Sequence, residues 1–411
     1  MRSKYGTLAM QVHDRYRTIP EARIIEMLAL MGWAYQLDAS AAASSKRALQ
    51  TWVEMGLGFR RGAGGERCFD PVEVNNMMKR AGCDAGDSFF AKYVATQRRL
   101  VSDLASAGSS TFIVEFRRTF SLRKVPKGAR LRLRAPLPLT GDHLDELEVI
   151  PFVEAAEDVR IDRSPGRLEV RTLASGEAEV CLGARMRFVA RDQQPRPALS
   201  TDGDLTAYLA EREELIVVSD RIRALALSLL APGAQPFEAV RAFWEYINGE
   251  LMCGAVHYDQ IDATLPCDWI LDAGWFDCRL GSSLFVALCR ARGIPARVLG
   301  GYTLYSRAPA IHYWAEVWID QQGWTPFDLF GWDLSFGGRD RDWLDTFFGR
   351  LDQRLTTQRL PKEFTGAPGV AIPPAWHLVS VARAAAIEFN LLDIDGTPVY
   401  ADTIQVTANG S

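Results

Sequence analysis

The sequence has no long apolar run. Its most apolar short window, Ile24 to Tyr35, is broken by Glu26 and is too short to span a bilayer. Met1 to Ile19 is polar and charged, without the apolar centre of a secretory signal, so a cytoplasmic chain is expected. Basic excess is missing too: 47 Lys and Arg stand against 51 Asp and Glu, a formal net charge of −4. That argues against a nucleic-acid partner, and no Lys/Arg-dense block marks a membrane-surface patch. The seven cysteines are odd in number and scattered, which fits reduced thiols better than a disulfide framework. Gly300-Gly301 and Gly337-Gly338 lack the strand–loop–helix setting of a phosphate loop; Gly300-Gly301 suits close backbone approach in a strand. Dense Asp/Asn-x-Asp loops are missing, so calcium is not expected to be required.

What is present divides into three parts. At 411 residues the chain is too long for one ordinary core. Residues 1–107 read as a helical accessory domain, with helices at Glu21 to Tyr35, Val72 to Lys79 and Ser88 to Leu104. Residues 108–192 alternate apolar and polar positions, as at Phe112, Val114 and Phe116, and read as an antiparallel β-domain. Turn signals such as Gly141-Asp142 separate its runs. A linker from Gln193 to Asp204 leads into residues 193–411, where helix and strand patterns mix. There Arg279 to Arg292 is an amphipathic helix, and Trp343 to Arg354 is read as another. Ala296 to Leu304, His312 to Ile319 and Trp324 to Leu329 read as strands, and Asp395-Gly396 as a hairpin signal.

Chemistry concentrates between Trp275 and Trp332. Cys278 follows Gly274-Trp275-Phe276-Asp277, which suits the start of a helix. A helix N-terminus favours an anion, so a thiolate there is expected to be stabilised, and its free N–H groups could receive an oxyanion. His312 starts one strand and Asp328 ends another. With Gln322 as the turn centre, a hairpin brings Asp328 roughly opposite His312, the mismatch being left to a bulge. An Asp beside a His can hold its tautomer and stabilise its cation. Trp275, beside the thiol, is a substrate-contact candidate. A zinc set of Cys253, His257, Cys267 and Cys278 is the competing reading, but it contains no Cys-x-x-Cys pair; no metal is expected.

Asp277-Cys278, an apolar helix ending in Arg290-Ala291-Arg292-Gly293-Ile294-Pro295-Ala296-Arg297-Val298, Gly300-Gly301-Tyr302, His312-Tyr313-Trp314-Ala315-Glu316-Val317-Trp318-Ile319 and Gly323-Trp324-Thr325-Pro326-Phe327-Asp328 occur in that order. Together they resemble the transglutaminase-like superfamily, which includes bacterial cysteine proteases. The close resemblance covers about Trp275 to Asp328 and leaves residues 1–107 outside it. It implies an α+β fold with a papain/transglutaminase-like cysteine-protease core, Cys278 as nucleophile, His312 as base and acid, and Asp328 as orienter. Tyr258, upstream of the cysteine, becomes a candidate to line the oxyanion site; the other reading is a core tyrosine. Many relatives have Gly where this chain has Asp277. A carboxylate facing the thiol would raise its pKa, and the side chain is expected to point toward the helix start instead.

The resemblance implies acyl transfer through a thioester, without a cofactor. The donor is a peptide, an amide or a thioester, including one bound to a carrier protein, and the acceptor is an amine or water. Two alternatives remain: a biosynthetic acyltransferase or cyclase, and a non-catalytic interaction protein on the same fold.

Overall fold

A computed structural model describes residues 18–33, 38–139, 143–164, 166–195, 204–262, 264–306, 308–359, 377–383, 386–392 and 398–408. The expected turns at Gly141-Asp142 and Asp395-Gly396, the residues before 18 and most of the linker lie outside them. The chain forms two compact units. One comprises Met1–Ser102, Gln193–Val298 and Tyr313–Leu351; the other comprises Asp103–Asp192, Leu299–His312 and Asp352–Ser411.

The first unit opens with four helices among the described residues: α1 (Glu21–Trp33), α2 (Ala39–Glu54), α3 (Pro71–Ala85) and α4 (Ser88–Ser106). The sequence reading expects three of these and passes over α2, whose start is rich in Ser and Ala. Its Asp38 cap accepts the Ala41 N–H at 2.7 Å, and Ala41, Ala48, Leu49 and Trp52 form its buried face. Asp70 caps α3 in the same way, with Pro71 in the first turn, where a missing N–H costs nothing. The helices α5 (Asp220–Ser228), α6 (Pro236–Glu250), α7 (Pro266–Ala273) and α8 (Cys278–Ala291) follow. A hairpin pairs Ala315–Ile319 with Gly323–Phe327. The helix expected over Trp343 to Arg354 does not form. A short helix at Arg341–Leu344 and a 3-10 turn at Asp345–Phe347 are followed by Phe348, whose backbone is extended, and by Gly349 at a φ of +74°.

The second unit is β-structure. A six-stranded antiparallel sheet runs in the order His377–Arg383, Ala386–Leu392, Pro398–Ala408, Ser109–Ser121, Glu179–Arg191, Leu144–Glu154. Phe112, Val114 and Phe116 are buried while Ile113 between them is exposed, the alternation a one-faced sheet requires. A three-stranded sheet orders Arg130–Pro136, Arg167–Leu173 and Glu157–Ser164. Leu299–Thr303 pairs antiparallel with Arg354–Arg359. At Gly301 any Cβ would overlap the Leu355 carbonyl oxygen, so the close approach expected of Gly300-Gly301 is present.

Candidate active site

Helix α8 begins at Cys278 because Asp277 caps it. The Asp277 backbone is extended, and its carboxylate accepts the Leu280 N–H at 2.8 Å. Leu280, Leu284, Ala287 and Leu288 recur at helical spacing and are fully buried with Phe285, Val286 and Cys289. Each large apolar side chain so placed contributes roughly 1.5–3 kcal/mol. The helix is therefore fixed in rotation, and its first residue with it. Of the seven cysteines six are buried; Cys278 alone is partly exposed.

The thiol does not behave as the helix start alone suggests. Burial pushes the Cys278 pKa well above the usual thiol value, and the Asp277 carboxylate pushes it further; the Tyr313 N–H, directed at the sulfur, opposes them. Desolvation of a thiolate and a neighbouring carboxylate both oppose the anion that a helix start favours. The first-turn donors are also largely taken. Asp277 accepts the Leu280 N–H through its side chain and the Gly281 N–H through its carbonyl at 2.8 Å. Asp277 does point to the helix start, yet it still acts on the thiol.

Tyr258 opens a single 3-10 turn, Tyr258–Gln260, and its hydroxyl donates to the Asp277 carboxylate. Burial, then that carboxylate's charge, pushes the phenol pKa well up. The upstream tyrosine thus meets the residue next to the nucleophile. Trp275 lies in the short strand Trp275–Phe276, parallel to Met252–Cys253. Its ring packs edge-on against Trp269 at 5.9 Å. Its indole N–H is buried and meets no acceptor among the described residues.

Asp328 is fully buried, and its carboxylate accepts the Phe330 N–H at 2.8 Å. Its charge reaches Cys278, where it raises the thiol pKa. His312 is buried in the strand Ile311–Ile319. The register of the hairpin differs from the expected one. Its turn centres on Gln321, which has a φ of +69°, and Gln322 N–H donates to the Ile319 carbonyl at 3.0 Å. Ala315 then faces Phe327, with no bulge among the paired residues. The ladder ends there, and Asp328 directly follows its last paired residue, Phe327.

Arg290, in the last turn of α8, and Arg297, after it, are structural. Arg290 donates to the Ala296 carbonyl at 3.0 and 2.9 Å and pairs with Glu213 at 2.9 Å. Arg297 pairs with Glu316 at 2.6 Å and stacks 3.8 Å over Trp324. These contacts tie the helix end and the following strand to the hairpin. The zinc set of the sequence reading is not gathered: Cys267 donates to the Leu215 carbonyl at 3.3 Å. His257 instead meets Asp70 and Glu73, the three offering ligand-type atoms within 4.8 Å of one another. Asp70 already accepts from Val72 through one oxygen and meets His257 through the other, so the group reads as a hydrogen-bonded pair with an added carboxyl. No sequence signal pointed to it.

Residues 223–329 match the family model of the transglutaminase-like superfamily. This segment is a transglutaminase-like domain. The matched segment contains Cys278, His312 and Asp328. A curated relative, protein-glutamine gamma-glutamyltransferase of Pseudomonas aeruginosa, is 31% identical over 118 residues, or 26% of this chain and 18% of that protein. The chain spans less than a fifth of the curated relatives it matches. Among solved structures, a candidate cysteine protease from Cytophaga hutchinsonii is 15% identical, covering 72% of this chain and 98% of that one, with a TM-score of 0.42. The periplasmic domain of TgpA from Pseudomonas aeruginosa is 20% identical, covering 60% and 96%, with a TM-score of 0.30. That finding overturns the cytoplasmic expectation: a transglutaminase-like domain also occurs in the periplasm, so a polar first segment does not assign a compartment. Among the described residues no helix is long and apolar enough to cross a membrane.

Proposed function

We propose that the transglutaminase-like domain catalyses cysteine-dependent acyl transfer at an amide. Cys278 is the nucleophile, His312 the base and acid, and Asp328 the residue that orients His312. One observation carries this reading. Cys278, the one partly exposed cysteine, starts α8 with the Tyr313 N–H, the amide adjoining His312, directed at its sulfur.

Burial and Asp277 hold the thiol neutral, so its proton leaves as the sulfur attacks. His312 takes that proton, the sulfur bonds to the amide carbon, and the carbonyl oxygen becomes an oxyanion. The Trp275 indole N–H, buried without an acceptor among the described residues, is the proposed donor to that oxygen. His312 then gives its proton to the leaving nitrogen, the C–N bond breaks, and a thioester and an amine result. Water or a second amine attacks the thioester and yields a proton to His312. The C–S bond breaks, and the sulfur regains a proton from His312. The Pseudomonas relative is a protein-glutamine gamma-glutamyltransferase, which supports a peptide carboxamide as donor.

Intact-mass detection tests this reading. The protein is exposed to glutamine-containing peptides, activated esters and thioesters. An acyl adduct that maps to Cys278 and is missing in Cys278→Ala is expected, with ammonia released from the glutamine donors. No adduct from any donor, or the same adduct in Cys278→Ala, would overturn it.

A further inference from the structure

Helix α3 meets residues 253–257 through three successive side chains. Asp70, its cap, lies 2.6 Å from His257 Nε2. Asn76 holds Ala255 from both sides, its amide donating to the Ala255 carbonyl at 3.0 Å and its oxygen accepting the Ala255 N–H at 2.8 Å. Lys79 directs its ammonium at Cys253 Sγ, 3.7 Å away, and pairs with Asp333 at 2.7 Å. The contacts run 70, 76, 79 against 257, 255, 253, so the helix lies antiparallel to the segment. Gly254 permits this approach, since a Cβ there would stand 2.5 Å from Asn76 Oδ1.

The other flank of the segment carries the nucleophile. Gly254 N–H donates to the Phe276 carbonyl at 2.7 Å, and Met252 N–H to the Gly274 carbonyl at 3.0 Å. Phe276 is followed by Asp277 and Cys278. His257 is followed by Tyr258, whose hydroxyl donates to Asp277. Residues 253–258 are a spacer with α3 on one side and the start of α8 on the other.

We propose that Asn76, in the helical N-terminal region, is a positioning residue for Cys278. It acts through Ala255 and Gly254 on the strand Trp275–Phe276 that leads into Asp277, and through His257 on Tyr258. Asn76 is 4% exposed, and both halves of its amide are spent on one residue 179 positions away. That is a fully satisfied buried amide, whose removal leaves backbone groups unpaired. Filling space would need only an apolar side chain. The proposal rests on Cys278 being the nucleophile.

The test follows iodoacetamide alkylation of Cys278 against pH in the full chain, for wild type, Asn76→Asp and Asn76→Ala. Asn76→Asp keeps size and acceptor, but it replaces the donor to Ala255 with a carboxylate oxygen and adds a buried negative charge. The alkylation curve is expected to shift along the pH axis in both variants. With a donor from the adduct screen, kcat should fall about 10–10²-fold while KM stays within about twofold. If Asn76→Ala does not fold, Asn76→Asp decides. An Asn76→Asp protein that melts at lower temperature but keeps the wild-type alkylation curve and kcat makes Asn76 a packing residue and overturns the proposal. Failure of the acyl-transfer reading looks different: the wild type then forms no adduct, while the alkylation curves still report the position of the thiol.

Discussion

The Asp277 carboxylate accepts the Leu280 N–H at 2.8 Å, which starts the helix, and at the same time raises the pKa of Cys278 beside it. One side chain thus fixes the nucleophile in place and holds it in the neutral form. Asp277→Asn separates the two effects, because Asn caps helices about as well as Asp. Removing the negative charge lowers the thiol pKa, so the midpoint of Cys278 alkylation should move to lower pH while the melting temperature barely changes. An unmoved midpoint would assign the raised pKa to burial alone.

Cys278→Ala should abolish turnover with the fold intact, since the side chain is small and partly exposed. Cys289→Ala should keep most turnover and cost some stability, because Cys289 is fully buried in α8. Steady-state rates and thermal melts on both variants check this. Turnover persisting in Cys278→Ala would remove it as nucleophile.

Asp328→Asn should lower turnover by about 10–10³-fold, and His312→Ala by more. The amide can satisfy an imidazole only by changing which ring nitrogen carries hydrogen. A cysteine needs less help to ionise than a serine, so the loss stays moderate. Equal kcat values for wild type and Asp328→Asn would leave a Cys-His dyad.

Glu73 gives a pH signature unrelated to turnover. Burial, then the Asp70 charge, raises its carboxyl to about 7 from an ordinary 4.5, with His257 opposing. Below 4.5 the group is protonated in both folded and unfolded chains and contributes nothing. Between 4.5 and 7 the unfolded chain has released the proton while the folded one retains it, so stability falls as pH rises. Above 7 the penalty is complete. Glu73→Gln removes that window. Its melting temperature relative to wild type should therefore rise from pH 5 to pH 8; a pH-independent difference would contradict the raised carboxyl.

Helix α8 and the pattern around Cys278, His312 and Asp328 are legible in the sequence because they are local. Apolar residues recur at helical spacing, and each motif lies within a few residues of the group it serves. The direction of the thiol's pKa is not legible, since burial and the neighbouring Asp328 are set by packing. Nor is the His257–Asp70 pair, whose members are 187 residues apart. The hairpin register shows a third kind of limit. Shifting the turn centre from Gln322 to Gln321 moves the partner of Phe327 by two positions, and only the backbone decides which glutamine turns. At Trp343 to Arg354 the apolar spacing suits a helix, but the backbone turns extended at Phe348, ahead of Gly349 at positive φ.

The strand Ser109–Ser121 is flanked in its sheet by Glu179–Arg191 on one side and Pro398–Ala408 on the other. On the ribosome the first neighbour emerges early, and the second only after the whole transglutaminase-like domain has been made. Until then one edge of Ser109–Ser121 presents unpaired amides and carbonyls, as any open edge strand does. A nascent chain that stalls before residue 398 therefore exposes a ready template for misassociation, and the strand Pro398–Ala408 is the one that closes it.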